Sequence, residues 1–278
     1  MGSFPYSSLC ARGLALRLAV AAAVLATVGL VGCAKQNTPQ AEPKVTPPAI
    51  AEAGVLRAGI DLTYPPFGGE DKGKQAGIDV DVAQALAASL GLELRIVSTP
   101  ASEAVSALAG GLVDAMFSVP ISASTVTSAA VVGSYITDGP GFFTTAEETV
   151  TVATIGARAI AAQQGSESFW LLENALGQDV VQSYPDLRGA LGALADGKVS
   201  IAAGDAIVGA YIARDFPTVR FSGQLGTARP LAVAVAKDNA ELADALRASL
   251  DKLATDGVLK TVRTKWVGNL PELQVPKS

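Results

Sequence analysis

Histidine is absent from the whole 278-residue chain. That gap removes every Ser-His and Cys-His nucleophile arrangement and every histidine-ligated metal site, so most hydrolase and metalloenzyme chemistry is poorly supplied. Cysteine occurs only at Cys10 and Cys33. Long apolar runs are missing too: the run at residues 18–31 stops at fourteen, short of the about 20 that a membrane-spanning helix needs. Basic residues are scarce and scattered, 21 Lys and Arg against 26 Asp and Glu. An acidic chain with no basic cluster argues against a nucleic-acid partner. No Lys or Arg stands between Arg95 and Arg158.

What is present starts with an export pattern. Arg12 and Arg17 form a positive n-region, and residues 18–31 form the apolar h-region behind it. Leu30-Val31-Gly32-Cys33 then resembles the lipobox of bacterial lipoproteins. The resemblance implies cleavage of residues 1–32, a lipid on the Cys33 sulfur, and an extracytoplasmic protein anchored to the cell membrane. Cys10 leaves with the signal, so no intrachain disulfide is expected. The signal carries two arginines and no acid, leaving a mature charge of 19 minus 26, or −7. Residues 33–53 carry Pro39, Pro43, Pro47 and Pro48 among polar residues and read as a semi-extended tether reaching roughly 60 Å.

From Val55 the chain alternates short apolar strands with helical stretches. Strands are expected at 55–60, 92–97, 113–117 and 199–203. Helices are expected at 79–90, 102–110, 166–176, 187–195 and 205–214. Such alternation predicts an α/β fold with largely parallel sheet. The pattern pauses across 118–145, where Gly, Pro, Ser and Thr dominate. An echo at 107–113 and 193–199, helix end, glycine and strand start, fits two similar lobes. Leu242, Leu246, Leu250 and Leu253 share one face of a late helix.

At this point a resemblance becomes specific. Leu56-Arg57-Ala58-Gly59-Ile60-Asp61-Leu62-Thr63-Tyr64-Pro65-Pro66-Phe67, with Gly77-Ile78-Asp79-Val80-Asp81-Val82-Ala83, resembles the opening of the family 3 extracellular solute-binding proteins. The block from Ala107 to Asp114, and Gly257 with Lys265-Trp266-Val267-Gly268, resemble its later parts. The resemblance implies a two-lobed periplasmic-binding-protein fold with the ligand cleft between lobes and two crossing hinge segments. Lobe 1 is expected at 54–143 and 230–278, and lobe 2 at 144–229. It also implies a monomer that passes a small polar solute, an amino acid or amine, to the permease of an ABC importer. No cofactor and no metal are implied.

The resemblance carries site roles onto particular residues. Asp61 and Tyr64 match ligand-contacting positions, with Phe67 just behind them; an aromatic face beside a carboxylate suits an ammonium group. Phe67 also reads as packing under a Tyr-Pro-Pro turn. Asp205 matches the acid that binds a ligand α-ammonium, and equally reads as the N-cap of the helix after it. Gly165 and Ser166 match a glycine-hydroxyl pair opening a lobe-2 helix, whose free N–H groups suit an anion. Trp170 on that helix reads as core.

The departures matter as much. The family's Thr-x-x-Arg element, whose arginine clamps the ligand carboxylate, is replaced by a basic-free segment holding Ser122, Ser124 and Thr125, and the second aromatic wall by Ala101. Two ligand readings follow. One is a cation without an essential carboxylate, held by Asp61 and Asp205, and it is preferred. The other is an amino acid whose carboxylate lies on the hydroxyls of Ser122, Ser124 or Thr125 and the amides of Gly165 and Ser166. A surface sensor is an alternative role. A dehydratase-like enzyme with Glu167 as general acid is weaker, because such substrates are carboxylates and Glu167 also reads as a helix-dipole partner. No enzyme activity is therefore expected.

Overall fold

The computed structural model describes residues 42–177 and 179–275. The signal segment, the lipobox and Cys33 lie outside the described residues. Among those described, no helix is long and apolar enough to cross a membrane.

The chain builds β1 (Val55–Ile60), a small hairpin of β2 (Gly69–Asp71) and β3 (Lys74–Ala76), α1 (Ile78–Ser89) and β4 (Glu93–Ser98). Next come α2 (Ala104–Ala109), β5 (Ala115–Pro120), α3 (Ala123–Ser128) and the long β6 (Ala129–Asp138). Strand β7 (Pro140–Thr144), β8 (Ile160–Gln163), α4 (Glu167–Leu176), β9 (Val181–Tyr184), α5 (Leu187–Ala195), β10 (Ile201–Asp205), α6 (Ala206–Ala213) and β11 (Arg220–Gln224) follow. Strand β12 (Arg229–Ala236), α7 (Ala240–Thr255) and α8 (Val258–Val267) complete the order.

Two five-stranded sheets result, ordered β4-β1-β5-β12-β6 and β11-β7-β10-β8-β9. Each sheet is mixed. The expected parallel pairing holds for β1 with β4 and β5, and for β8 with β9 and β10. Antiparallel pairs enter through β6, β7, β11 and β12. Both sheets are mixed for one reason: the chain passes between them twice. Strand β6 of the first sheet runs through Gly139 into β7 of the second, and β11 returns through residues 225–228 into β12. The pause in the apolar pattern therefore hides two strands. Small and hydroxyl residues, with Gly133, Ser134 and Thr137 inside β6, break the apolar alternation while the backbone stays extended. The second sheet takes in all of Pro140–Thr144.

Local chemistry accounts for the element ends. In α1, Ile78, Val82, Ala83, Leu86 and Ala87 are buried along one stripe, while Asp81 in the first turn favours the positive end of the helix dipole. Gly91, at φ +72°, closes it in the left-handed conformation usual after a helix. Strand β1, flanked on both sides, is buried at five of its six residues. The first core joins this helix and sheet to α7, whose Leu242, Leu246 and Leu250 pack inward as their spacing predicts. The second sheet has a cluster on each face, one around Phe143 and Leu191, the other around Phe142 and Leu172.

The segment before β1 differs from the expected polar tether. Val45, Ala49 and Ile50 are buried in the first core. Lys44 N donates to Leu90 O (2.9 Å), Asn239 Nδ2 to Ala49 O (2.8 Å) and Ala51 N to Asp114 Oδ1 (3.1 Å). Asp114 also takes the Arg57 guanidinium (2.8 Å), so a partly buried ion pair and the segment's backbone share one carboxylate. Prolines do not exclude burial when apolar residues follow them closely.

Ile50 is fully buried, so Ile50→Ala should destabilise by about 2–5 kcal/mol, and removal of residues 42–50 by more. Urea unfolding measures both; stability unchanged by the truncation would show that the segment is only a tether.

Candidate ligand-binding cleft

The cleft is built around a loop, two crossing strands and one strand end. After β1, Asp61 accepts from Thr63 N (2.9 Å) and Thr63 Oγ1 (2.6 Å), which starts a tight turn. Phe67 N and Gly68 N both donate to Tyr64 O, folding the Tyr-Pro-Pro-Phe stretch back on itself. The loop then docks on the start of α1, where Ile78 N donates to Pro66 O (2.8 Å) and Asp79 N to Phe67 O (2.9 Å). Gly77, at φ +150°, permits that approach, because a Cβ there would lie 2.1 Å from Phe67 O. Phe67 is buried and stacks on Tyr64, ring centroids 5.6 Å apart and planes within 3°. Packing and cleft wall are thus joined: Phe67 supports the ring of Tyr64, which stays 45% exposed.

Tyr64 reaches the other sheet. Its hydroxyl donates to Asp205 Oδ2 at 3.0 Å, joining the first-sheet loop to the end of β10. Asp205 stands at the N-cap of α6, but its side chain makes no capping bond. Asp138 does that work from the crossing strand: its Oδ1 accepts from Ile207 N (3.0 Å) and from Gly139 N (2.8 Å). A Cβ on Gly139 would sit 2.8 Å from Ala228 Cα, so only glycine lets the two crossing segments run side by side here. Opposite Asp138 in the strand pairing is Arg229.

These residues enclose a cavity of about 230 Å³, lined by Asp61, Tyr64, Asp79, Asp138, Asp205 and Arg229 together with Phe67, Ala101, Ser118, Pro120, Gly139 and Leu231. A wider depression of about 540 Å³ lies behind β6 against α8, near Thr137 and Lys260. It is open to solvent and does not gather opposed charges from both sheets, so the smaller cavity is the stronger candidate.

Charge in the cavity is lopsided, with four carboxylates against one guanidinium. Burial, with the charge of Asp205 beside it, pushes Asp138 up to about 7 against the pull of its two backbone N–H donors. Burial also raises Asp205, opposed by the Tyr64 hydroxyl. Tyr64 is itself pushed above the usual phenol range by burial and by Asp205. At the floor, burial pushes Asp79 up to about 7, although Tyr135 Oη donates to its Oδ1 at 2.6 Å. Tyr135 in turn accepts from Ser118 N (2.7 Å), and Ser118 holds the left-handed φ of +50°.

Arg229 forks onto Glu167 at the start of α4. Its Nη1 donates to Oε1 at 3.2 Å, and its Nη2 makes a shorter bond to Oε2. The pair is half-exposed, and the hydrogen bond to Glu167 raises the guanidinium further above its ordinary value. Among the residues expected in the site there is no cation. Arg229 was legible only as a charge beside Pro230 at the expected return between lobes. Asp138 was hidden likewise, in a stretch of Gly and Pro.

Of the residues expected in the site, Asp61, Tyr64, Phe67 and Asp205 come together around the cavity. Ser122, Ser124 and Thr125 do not line it. Ser122 caps α3 and lies 2.9 Å from the hydroxyls of Ser124 and Thr125, while Thr125 donates to Pro120 O (2.8 Å), so these groups largely satisfy one another. Gly165 and Ser166 also lie outside the lining; Ser166 caps α4 through Phe169 N (3.1 Å). Trp170, expected in the core, is 56% exposed. Among the described residues, no group of His, Cys, Asp and Glu is placed to hold a metal ion.

Comparison with known proteins agrees with this architecture. The family model described as bacterial extracellular solute-binding proteins, family 3, matches residues 56–269. The L-cystine-binding protein TcyJ of Escherichia coli (strain K12) is 24% identical over 237 residues, covering 79% of this chain and 85% of that protein. A solved ancestral cationic amino acid solute-binding protein is 25% identical with a TM-score of 0.68, covering 77% of this chain and 96% of that one. The L-cystine solute receptor of Neisseria gonorrhoeae, in its unliganded open conformation, is 21% identical with a TM-score of 0.69, covering 80% and 95%.

The buried Asp79 gives a signed pH dependence. A carboxyl raised from 3.8 to about 7 keeps its proton in the folded protein while the unfolded chain loses it. Its stabilising contribution is full below about pH 4 and is lost as pH rises towards 7. Relative to Asp79→Asn, the wild type should therefore lose stability across that window and level off above it. Urea unfolding at several pH values measures this, and a pH-independent difference between the two would overturn a protonated Asp79.

Proposed function

The chain belongs to the bacterial extracellular solute-binding proteins of family 3, and within that family we propose that it captures an amino acid outside the cytoplasm. It then delivers the amino acid to the permease of an ABC importer, acting as a monomer held to the membrane by a lipid on Cys33. The observation that carries the ligand reading is the Tyr64–Asp205 bridge across an acid-rich cavity that also holds one arginine. Asp205 is partly desolvated and carries a neutral hydroxyl as its partner; a ligand ammonium supplies the opposite charge it lacks. Because Tyr64 and Asp205 come from different sheets, a ligand touching both favours the arrangement that brings the lobes together. The names of the relatives, binders of cystine and of cationic amino acids, support the same class.

A second reading, a cation with no carboxylate, is favoured by the excess of four cavity acids over one guanidinium that is already paired. The anchor rests on the lipobox residues 30–33 and the fourteen-residue apolar run before them. The relatives it matches are named as binding proteins, which supports a binder over an enzyme.

Calorimetric titration of the full chain against the protein amino acids, cystine and simple amines tests the ligand reading. Asp205→Asn should weaken the tightest ligand by about 10- to 100-fold, the worth of a charged hydrogen bond. Undiminished binding by that variant would sink the reading. Mass spectrometry of protein extracted from membranes should find a chain beginning at a lipid-bearing Cys33; an unmodified Cys33 behind an intact residue 1–32 segment would remove the anchor.

A further inference from the structure

A zwitterion placed with its ammonium on Asp205 brings a carboxylate into the same cavity, and that carboxylate needs a donor. The hydroxyls of Ser122, Ser124 and Thr125 are bonded among themselves and to Pro120 O around α3, and the Ser166 amide donates to Gln163 O (3.1 Å). Arg229 is the cation on the cavity wall, and the charges of Asp205 and Asp138 both act on it. It leaves β12 at the point where the chain returns to the first sheet, opposite Asp138. Its guanidinium already holds a carboxylate in two-point fashion, that of Glu167. Glu167 is not tied to this role by burial: both partners of the pair are substantially exposed, with side-chain exposures of 51% for Arg229 and 37% for Glu167.

We propose that Arg229 is the carboxylate-binding residue of this cleft, and that Glu167 is a resident stand-in which the ligand's carboxylate displaces. The exchange is one carboxylate for another on the same fork, so the guanidinium is paired before and after binding. Glu167 stands at the first position of α4 and keeps a favourable place against the helix dipole once released. The strength of the Arg229–Glu167 pair is thus subtracted from ligand affinity. Solutes without a carboxylate leave the pair intact and do not feel it, so it also sets specificity. This rests on the amino-acid reading above.

The test titrates the full chain with each amino acid that binds and with its decarboxylated amine, for example L-arginine with agmatine, L-lysine with cadaverine and L-cystine with cystamine. Glu167→Gln should bind the amino acid about two- to five-fold tighter, the range a half-exposed ion pair withholds, and should not tighten the amine. Arg229→Gln should weaken the amino acid by about ten-fold or more while leaving the amine no weaker. Arg229→Lys keeps the charge without the fork and should fall between. Adding Glu167→Gln to Arg229→Gln should bring no further gain. Amino-acid affinity unmoved by Glu167→Gln, or equal losses for amino acid and amine in Arg229→Gln, would overturn the proposal with the amino-acid reading intact. Binding of neither class by the wild type would overturn both.

Discussion

The carboxylate of Asp138 does two jobs where the chain first passes from one sheet to the other. It accepts from Gly139 N, fixing the turn out of β6, and from Ile207 N, closing the first turn of α6. The second bond replaces the cap that Asp205 would otherwise supply to its own helix. Asp205 is therefore free to face the cavity and meet Tyr64. Without this substitution the acid best placed for a ligand would be spent on an unsatisfied N–H of its own helix start. The narrow passage at Gly139 serves the same end, since it keeps the returning strand and Arg229 within reach.

The second governing constraint is electrostatic. Four carboxylates around a cavity of about 230 Å³ cannot all stay charged and unpaired. The structure resolves this in three ways. Asp79 and Asp138 are raised to about 7 by burial; Asp205 takes the hydroxyl of Tyr64; and Arg229 brings a positive charge whose own partner is Glu167 at the rim. What remains is a site that gains most from a guest carrying positive charge, with a guanidinium set to one side of it.

Much of the fold was legible along the chain. The buried stripe of α1, the leucines of α7 and the parallel pairs of β1 with its neighbours follow from periodicity, because each depends on residues within a few turns or one strand. The hinge strands were not legible, for β6 draws on Gly, Ser, Thr and Ala and owes its extended form to the partner strand β12. The burial of Val45, Ala49 and Ile50 was hidden in the same manner. Their apolarity is modest, and the groups that tie this segment down, at Leu90, Asp114 and Asn239, lie far along the chain.

The sequence by itself determined the family and its two-lobed α/β plan, through motifs that resemble the family's along residues 56–269, and the same resemblance pointed to Asp61, Tyr64, Phe67 and Asp205, which the fold brings to one cavity. Only the tertiary structure decided the charge balance of the site. Asp138, Arg229 and Glu167 lie 62 or more residues away from at least one of the others, each in an unremarkable local setting. They meet because two strands cross side by side at Gly139, and long-range pairing of that kind leaves no periodic trace in the chain that makes it.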